Sequence, residues 1–327
     1  MIEAMVYDAG GVERYGASEV DAARAATGTT WVRATEASQD ELERVADAFG
    51  IHHLSVEDVR RDVRPKTESF PSHTFVLVKT ATLRRGETTF EEEIRSTQVG
   101  LFVGRDWLVT LSVDRIPSVQ RVWDRALSGE GRLPEHGPDF AAYRVVDGIV
   151  DEYFDLLDEI EDLIEAIEEG VLDAPDPEIL TTINAVRRDL LSFRKLVWPT
   201  RDAVSVLARG DPPEVRPATE KYYRDVYDHL VQLVDLTETY RELASGARDI
   251  YLNTLSQSTN EVMKRLTVVA TVLLPLTFVA GVFGMNFGGG PWNMPELFWP
   301  YAYPAVMLGM GLSALVLLTY FRREGWL

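Results

Sequence analysis

A chain of 327 residues has room for about two or three structural units with a sizeable core, and 52 Asp and Glu against 33 Lys and Arg give it a formal charge of −19. That balance excludes nucleic-acid phosphate as the natural partner, because a binder of that backbone needs a basic face. The absence of Cys excludes disulfides and thiolate metal sites, and the scarcity of lysine (Lys66, Lys79, Lys195, Lys221 and Lys264) suits a high-salt cytoplasm where screening tempers self-repulsion.

The opening stretch MIEAMVYDAGG has no basic region followed by an apolar run, so it does not read as a secretory signal. Short β-branched or aromatic runs bounded by Gly and Asp turns predict strands over 2–7, 30–33, 74–83, 97–103 and 107–112. Between them, residues 38–49 open with Ser38 and carry Glu41 three positions on, the spacing of a capping box. Strands and helices interleaved in this way predict an α/β layer domain over 1–138.

From residue 139 the pattern becomes helical. DEYFDLLDEIEDLIEAIEEGV repeats apolar residues at Phe154, Leu157, Ile160, Ile164 and Ile167 with acids between them, predicting an amphipathic helix with an acidic outer face. Gly170 and DAPDP stop it, and Asp176-Pro177 starts a second helix towards Trp198, so 139–216 reads as a helical hairpin. Residues 218–274 then hold no Pro and a single Gly, with apolar residues at Tyr222, Val226, Leu230, Leu233, Tyr240, Leu243, Ala247 and Ile250. If helical throughout, these 57 residues would span roughly 85 Å, and the near-heptad spacing predicts packing beside other copies of the same chain. The stalk, 217–265, runs into the next segment with no breaker.

Residues 266–283 and 302–321 are 18 and 20 residues long without a charge, lengths that suit a bilayer span. A buried core helix is the alternative for either one alone; two in succession favour a membrane protein. Lys264 and Arg265 precede the first span and Arg322 and Arg323 follow the second, whereas 284–301 has one acid, Glu296, and no Lys or Arg. The positive-inside rule predicts a multi-pass protein of the cell membrane with both termini cytoplasmic, a loop 284–301 outside and a basic tail 322–327 inside. Trp292, Trp299, Tyr301 and Tyr303 suit the outer interface and Trp326 the inner one.

Two helices cannot enclose a conduit, but several copies can ring one. At helical steps the first span aligns Asn260, Met263, Leu266 with Thr267, Ala270, Leu274, Thr277 and Gly281 on one stripe. Small and hydroxylated residues also mark ordinary helix packing in membranes, and periodicity alone favours that reading. The stripe ends, however, at Gly284-Met285-Asn286, which puts a carboxamide at the outer mouth.

EVMKRLTVVATVLLPLTFVAGVFGMNF followed by MPEL resembles the signature of the CorA family of magnesium transport proteins, with Gly284-Met285-Asn286 as its hallmark. The likeness continues upstream through YYRDVYDH, WPTRDAVS, the acidic helix, RPKTESF and LSVEDV, nearly the whole chain in order. Phe283 stands where the family usually has Tyr, and Leu274 where relatives can carry Met. The resemblance implies an α+β membrane protein: an N-terminal cytoplasmic α/β layer domain, a long stalk helix continuous with the first of two C-terminal transmembrane helices, and a funnel-shaped homopentamer in the bilayer. It implies Mg²⁺ as cargo, with Co²⁺ and Ni²⁺ as surrogates, and a selectivity filter at Gly284, Met285 and Asn286. Polar rings at Thr277 and Asn260, a dewetting gate at Met263 and Leu266, and a cation-gathering Glu296 would complete the path. Asp249, eleven residues before Asn260, would ring the cytoplasmic exit; a solvated surface acid is its alternative.

The resemblance further implies regulatory Mg²⁺ between neighbouring cytoplasmic domains, held by Asp58 of VEDV and Asp225 of YRDVY, with Glu57 and Asp147 at a second site. No organic cofactor is expected. An enzyme is the rival from another class, but the five His form no HExxH, and there is no Walker or GxGxxG loop. A Zn²⁺ transporter of the same fold is the nearer alternative, against which the intact Met285 weighs. With no acid or His inside the spans, a proton relay is not expected.

Overall fold

The computed structural model describes residues 1–83, 94–129, 132–173, 176–285 and 294–326. Seven strands form one sheet: β1 (Ile2–Asp8), β2 (Gly11–Tyr15), β3 (Thr29–Thr35), β4 (Lys66–Ser69), β5 (Thr74–Leu83), β6 (Ile94–Val103) and β7 (Trp107–Ser112). Their order is β2-β1-β3-β7-β6-β5-β4. The β3–β7 pair is parallel and the others are antiparallel. β1, β7, the first half of β5 (74–78) and the second half of β6 (99–103) read as mostly apolar runs because both faces of the sheet are covered there.

Helices α1 (Val20–Ala25), α2 (Gln39–Phe49) and α3 (His53–Arg60) belong to one face, where Val45 and Phe49 of α2 and Val56 and Val59 of α3 join Val32, Phe75, Leu77 and Val109 in a single core. The other face is covered by α4 (Pro117–Leu127), α5 (Pro138–Asp173) and α6 (Pro177–Ala208). There Trp31 meets Trp123 edge-on with centroids 5.1 Å apart, and the Tyr153 hydroxyl donates to the Lys79 carbonyl.

Strands expected over 74–83 and 107–112 coincide with β5 and β7, and the capping box forms, with Ser38 Oγ accepting from the Glu41 amide at 3.3 Å. Four elements were not expected: α1, β2, β4 and α4. β2 and β4 are polar edge strands (GVERY and KTES) with no apolar alternation, so only their pairing to β1 and β5 makes them strands. α4 had a legible signal, Pro117 at its first turn and Val119, Val122, Trp123 and Ala126 on its buried side.

The hairpin α5–α6 lies on the sheet, and the whole of Met1–Arg248 is one compact unit. The final long helix, α7 (Pro217–Phe283), is 67 residues long. Its start is tied down by two buried carboxylates. Thr74 donates to Glu214 at 2.7 Å, and the Arg216 amide donates to Asp139 at 3.0 Å. Along the helix Val226, Leu230 and Leu233 are buried, and Tyr240 donates to Glu161 at 2.6 Å.

The second unit, Asp249–Leu327, contains the rest of α7 and α8 (Ala302–Arg323). Both helices carry a stretch long and apolar enough to cross a membrane, and only 6% of each stretch is buried. A core helix of a soluble protein would be mostly covered; here the greasy surface faces outward. Pro275 sits inside α7 and lacks the amide that would bond the Thr271 carbonyl.

Candidate metal sites and ion pathway

Asn260, Met263, Leu266, Ala270, Leu274, Thr277 and Gly281 recur at steps of three and four residues on α7, and all seven are exposed. Exposure does not single out their stripe, because Val262, Val269, Leu273 and Phe278 on other sides of the helix are exposed too. Asn260 and Met263 also line a groove of about 1010 Å³ with Lys264, Gly325 and Trp326, and the Lys264 ammonium stands 6.0 Å from the Trp326 ring. The Thr277 hydroxyl donates to the Leu273 carbonyl at 2.9 Å. Its proton is therefore engaged inside the helix, and its lone pairs remain to accept from water.

The helix ends with the Gly284 amide on the Ala280 carbonyl at 2.9 Å, followed by an exposed Met285. Asn286 lies outside the described residues, as does Trp292. Glu296 is exposed on a 3₁₀ turn, Pro295–Phe298, entered through Met294 with a positive φ of 30°. Asp249 is an exposed acid on α7.

The expected metal ligands of the first unit occupy two helices and the start of a third. Glu57 and Asp58 lie on the last turns of α3, a helix opened by His52, whose Nδ1 accepts from the Leu54 amide at 3.2 Å. The C-terminal turn of α3 is pinned by Gln98 of β6, whose Nε2 has the carbonyls of Asp58 at 2.9 Å, Val59 at 2.7 Å and Arg61 in range and shares its two hydrogens among them. Asp225 is exposed on α7, and Asp147 is half-buried on α5.

Among the described residues, three of these four carboxylates have a cation of their own chain. Lys66 Nζ lies 2.8 Å from Asp58 Oδ2, Arg61 lies 2.6 Å from Glu57, and Arg144 lies 2.8 Å from Asp147. Burial pushes the Asp147 carboxyl above the ordinary aspartate value, repulsion from Asp151 adds to this, and Arg144 only partly offsets both. At Lys66 burial works against the charge, yet hydrogen bonds to Asp58 and Glu68 outweigh it and raise the pKa. None of these ion pairs was expected from the sequence. Lys66 stood in the quoted RPKTESF, but its partner is eight residues back on a helix, and only the α3–β4 packing joins them.

The family model for CorA-like Mg²⁺ transporter proteins matches residues 26–323. The chain belongs to that CorA-like family. The cobalt/magnesium transport protein CorA of Thermotoga maritima is 38% identical over 301 residues, covering 91% of this chain and 83% of the relative. The putative metal ion transporter YfjQ of Bacillus subtilis is 32% identical, covering 90% and 89%. The complete structure of the CorA magnesium transporter from Methanocaldococcus jannaschii superposes with a TM-score of 0.80 at 24% identity, covering 100% of this chain and 99% of that one, a likeness of fold. The CorA architecture thus accounts for the N-terminal α/β domain, the long helix and the two apolar helices found here.

Proposed function

We infer that this chain is a divalent-cation channel carrying Mg²⁺, with Co²⁺ and Ni²⁺ as surrogates, into the cell as a homopentamer gated by cytoplasmic Mg²⁺. The observation that carries the reading is the uncharged run of α7 over 266–283, which holds the hydroxyl of Thr277 and leads into Gly284-Met285-Asn286, with the amide of Asn260 just before it. Lipid gains nothing from a hydroxyl in that run, whereas a water-shelled ion between neighbouring copies would.

Mg²⁺ releases its six waters reluctantly and prefers octahedral oxygen, so a pore can select it with its shell on. A ring of Asn286 carboxamides would accept hydrogen bonds from those waters without the deep trap of a carboxylate ring. Glu296 adds a weak negative collar outside. Thr277, whose hydroxyl proton is already committed to Leu273, offers acceptors further in. Met263 and Leu266 form a dewetting gate, Asn260 a polar ring below it, and Asp249 the exit. Lys264, Arg265, Arg322 and Arg323 fix the orientation, with both termini cytoplasmic. The divisions at 138, 216, 265, 283, 301 and 321 are the functional segments of this reading.

Asp58 and Asp225 of adjacent subunits would share the regulatory Mg²⁺, and Glu57 and Asp147 a second one. Their hard carboxylate oxygens suit that ion, and the exposed Asp225 can be reached from a neighbour. Each copy carries −19, so domains pressed together repel; a divalent bridge relieves this, and its loss loosens the ring.

Uptake into proteoliposomes, compared among Mg²⁺, Co²⁺ and Zn²⁺, tests the cargo; a preference for Zn²⁺ would replace this reading by the zinc transporter of the same fold. For the gate, Asp225→Ala should be cleaved by protease at every Mg²⁺ concentration, whereas Asp225→Lys, which sets a fixed cation beside Asp58, should be protected regardless of Mg²⁺. Wild-type Mg²⁺ titrations in both variants would make Asp225 an ordinary surface acid.

A further inference from the structure

Lys66 occupies the carboxylate to which regulatory Mg²⁺ is assigned above. Its Nζ lies 2.8 Å from Asp58 Oδ2 and 2.8 Å from Glu68 Oε1. The pair is preformed from both sides. Gln98 holds the Asp58 and Val59 carbonyls from β6, and Lys66 lies on β4 in register with Leu77 of β5. The ammonium also stands 5.8 Å from the Phe75 ring, within the range at which a ring face attracts a cation. The side chains of Lys66 and Asp58 are 29% and 27% exposed, which leaves them screened less than a fully solvated pair and still within reach of ions.

An ammonium and a Mg²⁺ ion want the same thing from Asp58. Each needs carboxylate lone pairs, and each repels the other. Asp58 Oδ2 already accepts from Lys66, and a divalent ion drawn to the same carboxylate is repelled by that ammonium, so binding of the ion favours Lys66 moving aside. We propose that Lys66 is a built-in counter-ion of the sensor, which neutralises Asp58 when Mg²⁺ is scarce and must be displaced before the ion binds, and so sets the Mg²⁺ concentration at which the channel closes. The proposal rests on the assignment of Asp58 as a regulatory ligand. Its chemical consequence is a threshold. Without the lysine, Asp58 would be an uncompensated acid on a chain of charge −19, ready to bind divalent ions at lower concentration. With it, each binding event pays for releasing an internal ion pair, and apparent affinity falls accordingly.

The test titrates protease protection of the full-length assembled protein with Mg²⁺ alone, comparing wild type with Lys66→Met, Lys66→Arg and Asp58→Asn. Met keeps roughly the length of the side chain while removing the charge that faces Phe75. A partly exposed ion pair is worth up to about 1 kcal/mol, so the protection midpoint of Lys66→Met should fall by about two- to fivefold. Lys66→Arg, which retains the cation, should stay close to the wild-type midpoint. Asp58→Asn should lose the titration. If it keeps the wild-type titration, the assignment of Asp58 fails and the counter-ion role falls with it. If Asp58→Asn loses the titration but Lys66→Met has an unchanged or higher midpoint, Asp58 remains a ligand and the counter-ion role alone is overturned.

Discussion

Gly100 on β6 lies directly beneath α3, and a single methyl there should disturb the helix that carries Glu57 and Asp58. A Cβ at this position would stand 2.4 Å from Val59 Cγ2, 3.1 Å from Phe75 Cε2 and 3.3 Å from Phe102 Cε2. Ordinary carbon contacts lie at about 3.5–4.0 Å, so Val59 would have to retreat by more than about 1 Å. Val59 is 2% exposed and its carbonyl is held by Gln98, so the retreat shifts the last turn of α3 rather than one rotamer. Overpacking of this kind costs about 1–3 kcal/mol. In a unit of 248 residues, about 2 kcal/mol lowers the melting temperature by roughly 4–8 °C. Val59→Ala alone should also destabilise, through a cavity and about 1.5 kcal/mol of lost apolar burial. In the double variant the new methyl enters the space left by the old ones, so the two losses should fall short of additive by at least about 1 kcal/mol. Thermal unfolding of the purified full-length protein measures all four corners of that cycle. The Mg²⁺ midpoint for protease protection should rise in Gly100→Ala as Asp58 is displaced. Strict additivity, or a Gly100→Ala protein as stable as wild type, would refute the reasoning, since it would mean that α3 is not seated on the bare face of Gly100.

Two further outcomes bear on the pore and its orientation. Asn286→Ala should abolish Mg²⁺ uptake while the assembled size by gel filtration is unchanged, because the filter proposed above depends on the carboxamide; normal flux would end the filter assignment. In a chain without natural Cys, Phe298→Cys, 86% exposed beside Glu296, should react with an impermeant thiol reagent applied from outside, and Asp47→Cys on α2 should react only from the cytoplasmic side. The reverse pattern would invert the topology.

How much of this could be read without coordinates depended on how local each signal was. β5 and β7 were legible because a strand buried on both faces is an unbroken apolar run wherever its partners come from. The capping box at Ser38 and Glu41 was legible because its two hydrogen bonds span three residues. The apolar segments of α7 and α8 were legible because bilayer crossing is a matter of length and composition. β2 and β4 escaped because GVERY and KTES become strands only through the ladders that β1 and β5 lend them.

The sequence by itself determined the character of the chain: deeply acidic and without Cys, with two long apolar segments and an uncharged run leading into Gly284-Met285-Asn286. It also supplied the carboxylates Glu57, Asp58, Asp147 and Asp225. Only the tertiary structure decided what those carboxylates meet. Arg61 and Arg144 are within one helical turn of Glu57 and Asp147, close enough in sequence to have been guessed. Lys66 and Gln98 reach Asp58 from β4 and β6, across the packing of a helix on a sheet. Coulomb attraction and hydrogen bonding act over a few ångströms in space with no regard for separation along the chain, so the charge state around Asp58 became readable only once the chain was folded.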